Sequence, residues 1–221
     1  MKQVEISGGA NQHAYEWYEM GFFTRWTSKG GQILFCFDIP LILRDRLQTL
    51  FLSPSIMPKL SDIYSPHVLV IDEIIKLFDR SVWSLRDVIR ATEKVKLPSY
   101  TIGKREAVEN HSQNRPGTVQ QEPNFPLLHD LARHTIHSSE SLDVAIDTMA
   151  GILGQHELFL DAGRSYIDID PVISQRTKQH LRFQIQMMRS LKARSKANEA
   201  RLRNEIDLVS RRGTTGRLIL T

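Results

Sequence analysis

Three histidines crowd one short stretch, LHDLARHTIHSSE, at His129, His134 and His137. On a helix, His134, His137 and Glu140 stand three residues apart and share one edge. Two imidazoles and a carboxylate on one edge could hold a metal ion such as zinc. No fourth ligand accompanies them, so the competing reading makes them polar flanks of an apolar seam through Leu128. Cys36, the single cysteine, lies within the apolar run ILFCF. A reactive thiol needs exposure and a lowered pKa, so Cys36 reads as a small core residue. One cysteine also excludes a disulfide framework and a four-cysteine zinc site, and fits a reducing compartment. Asp72, Glu73, Asp79 and Asp87 could pair as catalytic carboxylates. They alternate with Lys76, Arg80, Arg86 and Arg90, however, and read as salt-bridged helix faces. Trp83 reads as helix packing rather than a base-stacking platform. No Walker loop, G-x-G-x-x-G, G-x-S-x-G or H-E-x-x-H occurs, so no enzyme, catalytic residue or bound cofactor is expected.

Charge is unevenly placed. From Gln175 to Arg217 twelve Lys and Arg stand against three acids, a net +9 that leaves −5 for the rest of a chain whose total is +4. A basic end on an acidic body predicts an anionic partner, whether phospholipid head groups, nucleic acid or an acidic protein surface. Phe183 is the only aromatic residue on that basic stretch, so nucleic acid is not expected there. The N-terminus MKQVEISGGANQH lacks the apolar core of a signal peptide. The longest apolar run, ILFCFDIPLIL (Ile33 to Leu43), falls short of a membrane span, so the chain is expected to be soluble as written.

The elements that position these residues follow from periodicity. The run Ile33 to Phe37, bounded by Gly-Gly and Asp-x-Pro, predicts a strand, and its unbroken apolar character predicts burial on both faces. Val68, Ile71, Ile75, Phe78, Val82, Leu85 and Ile89 recur at threes and fours and predict an amphipathic helix over 66–95. Residues 98–126 are polar, carry four prolines and read as a flexible linker. A heptad seam then runs through Leu128, Leu131, Thr135, Ser138, Leu142, Ala145, Met149, Ile152, His156 and Phe159. A second runs through Leu181, Met188, Ser195, Leu202 and Val209, interleaved with Ile185, Leu191, Asn198 and Ile206. The short link between them, with Gly163 as a cap and Pro171 as a start, predicts an antiparallel hairpin. Polar Ser195 and Asn198 sit where a device for register or oligomer state would be. The chain is thus expected to be α+β and predominantly helical. An N-terminal α/β part over 1–97 precedes the linker, a long helical hairpin over 127–209, and a divergent basic tail over 210–221.

DEIIKLFDRSVWSLRDVIRATEK (Asp72 to Lys94), LHDLARHTIHSSESLDVAIDTMAGILGQHE (Leu128 to Glu157) and LRFQIQMMRSLKARSKANEARLRNEIDL (Leu181 to Leu208) resemble the CorA-like proteins of filamentous fungi, distant relatives of the CorA magnesium transporters. ILFCFDIP (Ile33 to Pro40) fits less specifically. The resemblance implies a funnel: a cytosolic α/β domain, a helical hairpin and a long stalk helix, with five stalks packed around a pore. The stretch from Pro171 to Val209 would be the stalk and its basic surroundings a collar on the cytosolic side, in keeping with the excess of positive charge just inside a membrane span. Magnesium would be a regulatory ion that bridges acids between subunits and neutralises their repulsion. Glu205 and Asp207 lie in the stalk region where such acids would stand. Past NEIDLV the family would continue into two spans and a Gly-Met-Asn loop, whereas here SRRGTTGRLILT follows and Gly-Met-Asn is absent. No residue of this chain can therefore be assigned to ion selection. Two function classes result. One is the cytosolic region of a CorA-like divalent-cation transporter, not transport-competent alone and placed on the cytoplasmic side of a membrane. The other is a soluble helical interaction or scaffold protein that uses an exposed seam to associate with itself or with CorA-like relatives.

Overall fold

The computed structural model describes residues 2–5, 14–27, 31–53, 62–95, 125–163 and 170–218. Two antiparallel two-stranded sheets come first, β1 (Lys2–Glu5) with β2 (Ala14–Trp17) and β3 (Gly21–Trp26) with β4 (Gln32–Phe37). Four helices follow: α1 (Leu41–Phe51), α2 (Ser65–Val95), α3 (Phe125–Gly163) and α4 (Pro171–Leu218). The fold is α+β and predominantly helical, with a long antiparallel hairpin formed by α3 and α4.

The hairpin has a third member. Lys192 meets Asp143 while Lys178 meets Glu157, so α4 runs antiparallel to α3. Gln184 meets Val68 and Asn198 meets Val82, so α4 runs parallel to α2. Val68, Ile71, Phe78 and Val82 of α2 interlock with Leu142, Ile146 and Met149 of α3 and with Leu181, Ile185, Met188 and Leu191 of α4 in one core. A second cluster joins Val88 and Ile89 to Leu128, Leu131, Leu202 and Val209. Every predicted seam position of α3 and α4 is buried or half-buried. The seam expected to be exposed for partners is instead closed by α2, because a two-helix hairpin leaves half of each apolar stripe in water and α2 supplies the missing wall. Ser195 and Asn198 are likewise buried within the chain's own bundle, where Asn198 Nδ2 donates to the Val82 carbonyl at 3.2 Å.

The other face of α2 carries Val70 and Leu77, which pack on Leu43 and Leu47 of α1 and on the inner face of the β3–β4 hairpin, Phe22, Leu34 and Cys36. Thus α2 serves both halves of the molecule. The β3–β4 loop is closed by Thr27 N–H donating to the Gly31 carbonyl at 2.9 Å and by Gly31 N–H donating to Thr27 Oγ1 at 3.1 Å. Asp38, at φ 51°, makes the left-handed step from β4 toward α1, a conformation that aspartate tolerates better than most side chains.

Three expectations need correction. Strand β4 is covered on one face only. Gln32, Leu34 and Cys36 point inward, whereas Ile33, Phe35 and Phe37 remain 46%, 44% and 56% exposed. With two strands and one helical layer, only one side of the pleat has anything to pack against. Helix α4 continues past Val209 to Leu218, since helical hydrogen bonding propagates beyond the last buried seam residue. Helix α3 begins at Phe125, so the last two residues of the expected linker are helical. The rest of that linker, and the link from 164 to 169, lie outside the described residues.

Candidate functional site

Where α3 ends, α4 begins and α2 starts, a group of polar side chains is buried together. The loop before α2 places Asp62, whose Oδ1 accepts the Tyr64 amide at 2.7 Å and whose carbonyl accepts the Ser65 amide at 3.0 Å, fixing the start of the helix. This is the side-chain-to-backbone turn for which aspartate is suited. The other carboxylate oxygen, Oδ2, accepts a 3.0 Å hydrogen bond from His156 Nε2 on α3. Both side chains are closed to solvent, at 1% and 0% exposure. Ser174 Oγ of α4 lies 3.5 Å from the same nitrogen, and Gln32 Nε2 of β4 donates to the Asp62 carbonyl at 3.2 Å. Four elements are therefore clasped at one point. The Tyr64 ring meets His156 edge-on at 5.1 Å and lies 5.8 Å from the His67 ring. Burial, and then the nearby Asp62 charge, push the Tyr64 phenol up. Burial pushes the His67 imidazole down.

Serine, histidine and aspartate in contact invite comparison with a hydrolytic triad, but the geometry differs. In a triad the carboxylate and the hydroxyl occupy opposite ring nitrogens, so that the carboxylate fixes the tautomer on one side while the other nitrogen takes the hydroxyl proton. Here both address Nε2, and Nδ1 has no partner among the described residues. With the cluster buried as well, its chemistry is that of a structural clasp.

Similar fastening continues up α4. Asp72 accepts from His180 Nε2 at 3.1 Å and from Gln184 Nε2 at 2.7 Å, and Gln184 Nε2 also reaches the Val68 carbonyl at 2.7 Å. Glu157 binds Lys178 at 2.9 Å and Arg182 at 3.1 Å, and the Lys178 hydrogen bond leads in holding its carboxyl below the usual carboxylate range. Arg201 grips Glu93 with two nitrogens at 3.0 and 2.5 Å. The Arg194 guanidinium lies 4.3 Å from the Trp83 ring centre, that of Arg86 lies 4.7 Å from it, and Trp83 Nε1 donates to Asp79 at 3.0 Å. Trp83 is thus a packing residue that links α2 to α4. Lys178, Arg182, Lys192 and Arg201 of α4 are paired with acids of α2 and α3. Arg176, Arg189 and Lys196 are exposed and have no ion pair among the described residues.

The other predicted candidates fall apart as a site. His134 is buried and bonds Asp130 at 3.2 Å, while His137 bonds Glu140 at 3.1 Å in the open. No group of three potential ligands able to hold a metal occurs among the described residues. His129 is exposed, Glu205 is half-buried and Asp207 is exposed. Of the acids expected on solvated faces, Glu73 is 7% exposed and is held by Lys76 at 2.5 Å and Arg46 at 3.7 Å. Asp87 pairs with Arg86 at 3.6 Å. Cys36 is half-buried, and burial pushes its thiol up, away from the reactive thiolate. It borders a cavity of about 900 Å³ between α1 and β4.

A cavity of about 630 Å³ adjoins the clasp, between the β3–β4 hairpin and the bundle. Phe22, Leu34, Ile74, Phe78, Met149 and Met188 are among its walls. His67 stands at the border of the two, with Nε2 hydrogen-bonded to Thr24 Oγ1 at 3.2 Å.

Reasoning from periodicity placed His156 in the α3 seam, where it is, but missed Asp62 and Ser174. Two signals pointed to them. A histidine at a fully apolar seam position needs a buried partner, and Asp-x-x-Ser-Pro before an apolar period is a helix-start signature.

No family model matches the chain, and no solved structure matches it. The notoamide biosynthesis cluster protein M' of Aspergillus versicolor is similar, with 26% identity over 204 residues, which is 88% of this chain and 41% of that protein. The chain spans about two fifths of the length of this curated relative. No helix among the described residues is long and apolar enough to cross a membrane.

Proposed function

We propose that this chain is the cytosolic, membrane-proximal helical region of a CorA-like divalent-cation transport protein, with magnesium as its regulatory ion and no conduction by the region alone. The observation that carries this reading is that the three segments resembling the CorA-like proteins fall on α2, α3 and α4, the three elements that build one bundle. Helix α4 is a single rod of 48 residues, roughly 72 Å at the α-helical rise. Along it stand Arg176, Arg189 and Lys196, exposed and without an ion pair among the described residues, as on a stalk beside an anionic lipid surface. In this role the protein sits on the cytoplasmic side of a membrane and assembles through its long helices, and Mg2+ lowers the repulsion between acids of neighbouring stalks, Glu205 and Asp207 among them. Light scattering coupled to size exclusion, with and without millimolar Mg2+, tests it. An assembly that shifts with Mg2+, and shifts less in Glu205→Gln/Asp207→Asn, is expected. A chain that stays monomeric throughout overturns the reading.

A second reading rests on the exposed apolar face of the β3–β4 hairpin, Phe23, Ile33, Phe35 and Phe37. It makes the chain a soluble interaction or scaffold protein that docks through this face, since the helical seam is already filled. Association with full-length CorA-like relatives fits this role. Pull-down by a full-length relative that is lost in Phe35→Asp would favour it.

A further inference from the structure

We infer that the cavity between the β3–β4 hairpin and the α2–α3 face binds an uncharged aliphatic or isoprenoid chain that carries at most one hydroxyl. This goes beyond the transport reading and does not depend on it. The volume, about 630 Å³, lies within the range of small-molecule pockets. Its walls come from each layer: Met20 and Phe22 from the hairpin side, Ile74 and Phe78 from α2, Met149 from α3 and Met188 from α4. Three of the sixteen lining residues are methionines, whose unbranched, polarisable side chains adapt to ligands of varied shape.

The hydroxyls at its border are already engaged. Ser141 Oγ donates to the His137 carbonyl at 2.8 Å and Thr148 Oγ1 to the Val144 carbonyl at 2.7 Å. His67 Nε2 is bonded to Thr24 and its buried ring favours the neutral form, while its buried Nδ1 has no partner among the described residues and is able to meet one hydroxyl. A ligand with several polar groups would lose its hydration and find only His67 Nδ1 offered in return, which is costly. A hydrocarbon loses nothing and removes its own apolar surface from water. The charged group on the lining is the Glu140 carboxylate, beside Val144, which is 66% exposed. An anion at the mouth disfavours fatty-acid carboxylates and selects neutral chains such as isoprenoid alcohols.

The test is fluorescence titration of the full chain with the neutral probe N-phenyl-1-naphthylamine. Saturable binding near one probe per chain is expected, with displacement by farnesol at lower concentration than by palmitate. The gap between the two should narrow in Glu140→Gln. Filling the mouth with Val144→Trp or Thr148→Trp should weaken probe binding at least tenfold with the circular dichroism unchanged. Val144 is exposed enough that its variant folds even where the Thr148 variant does not. Displacement by farnesol points to a free hydrophobic metabolite, and displacement by phosphatidylcholine vesicles alone points to membrane acyl chains. Either supports a hydrocarbon site. No saturation in the wild type overturns the inference, as does wild-type affinity in both tryptophan variants. Loss of binding in Phe35→Asn, with those variants unaffected, would place the probe on the exposed sheet face and also overturns it.

Discussion

The helical bundle and the β3–β4 hairpin solve the same problem differently. In the bundle each apolar stripe faces two others, and three of the polar residues within it are bonded across elements: Asp62 to His156, Gln184 to Asp72, Asn198 to Val82. In the hairpin one face rests on α1 and α2 while the other presents Phe23, Ile33, Phe35 and Phe37 to solvent. Phe23 and Phe35, paired across the strands, hold each other at 6.0 Å between ring centres. The comparison teaches that apolar content does not measure burial. A residue is buried when an element stands opposite it, and the bundle has three elements where the hairpin has a single supporting layer.

The sharpest way to break this contrast is at the clasp. His156→Ala leaves the buried Asp62 side chain without its hydrogen-bond partner and a cavity where a ring stood, and cutting a buried ring to Ala costs about 3–5 kcal/mol. Urea unfolding measures it, and a loss below about 1 kcal/mol would mean that the cluster does not hold the helix ends together. Next comes the apolar interior. Leu142, fully buried in the core shared by α2, α3 and α4, should lose about 2–5 kcal/mol on conversion to Ala. The same method tests it, and a small effect would mean that α2 does not close the seam.

The border between the two regions has a pH signature. Burial lowers the His67 pKa from its ordinary value of 6.5. The unfolded chain therefore takes up a proton at higher pH than the folded one, and stability falls as pH drops below 6.5. His67→Gln should flatten that part of the stability-versus-pH curve, as thermal melts between neutral and mildly acidic pH would show. An unchanged curve would place His67 in water. The smallest effect belongs to the open face of the hairpin. Phe35→Ser should change stability by no more than about 0.5 kcal/mol, and a larger loss would show that Phe35 is covered in solution.

Legibility followed the period of the pattern. The α2 stripe from Val68 to Ile89 and the α3 seam from Leu128 to Phe159 were readable because a helix must return an apolar residue to the same side every three or four positions. The start of α4 was readable too. Asp170 accepts the Val172 amide at 2.8 Å, and Pro171 follows it at the first helical position. Strand β4 misled because an unbroken apolar run fits both a two-sided core and an exposed aromatic face. Of the site, His156 was visible as a seam residue, but its role was not, since Asp62 lies 94 positions away and Ser174 lies 18 away.

The amino-acid order by itself determined the long helices, their apolar faces, the basic character of α4 and the single unreactive cysteine. Each of these depends on neighbours within a turn or two of chain. Tertiary structure decided that α2 closes the α3–α4 seam, that a buried carboxylate meets a buried imidazole, and that a cavity opens beside them. Those are contacts between residues far apart in sequence, and periodicity states which face an element buries without stating what it is buried against.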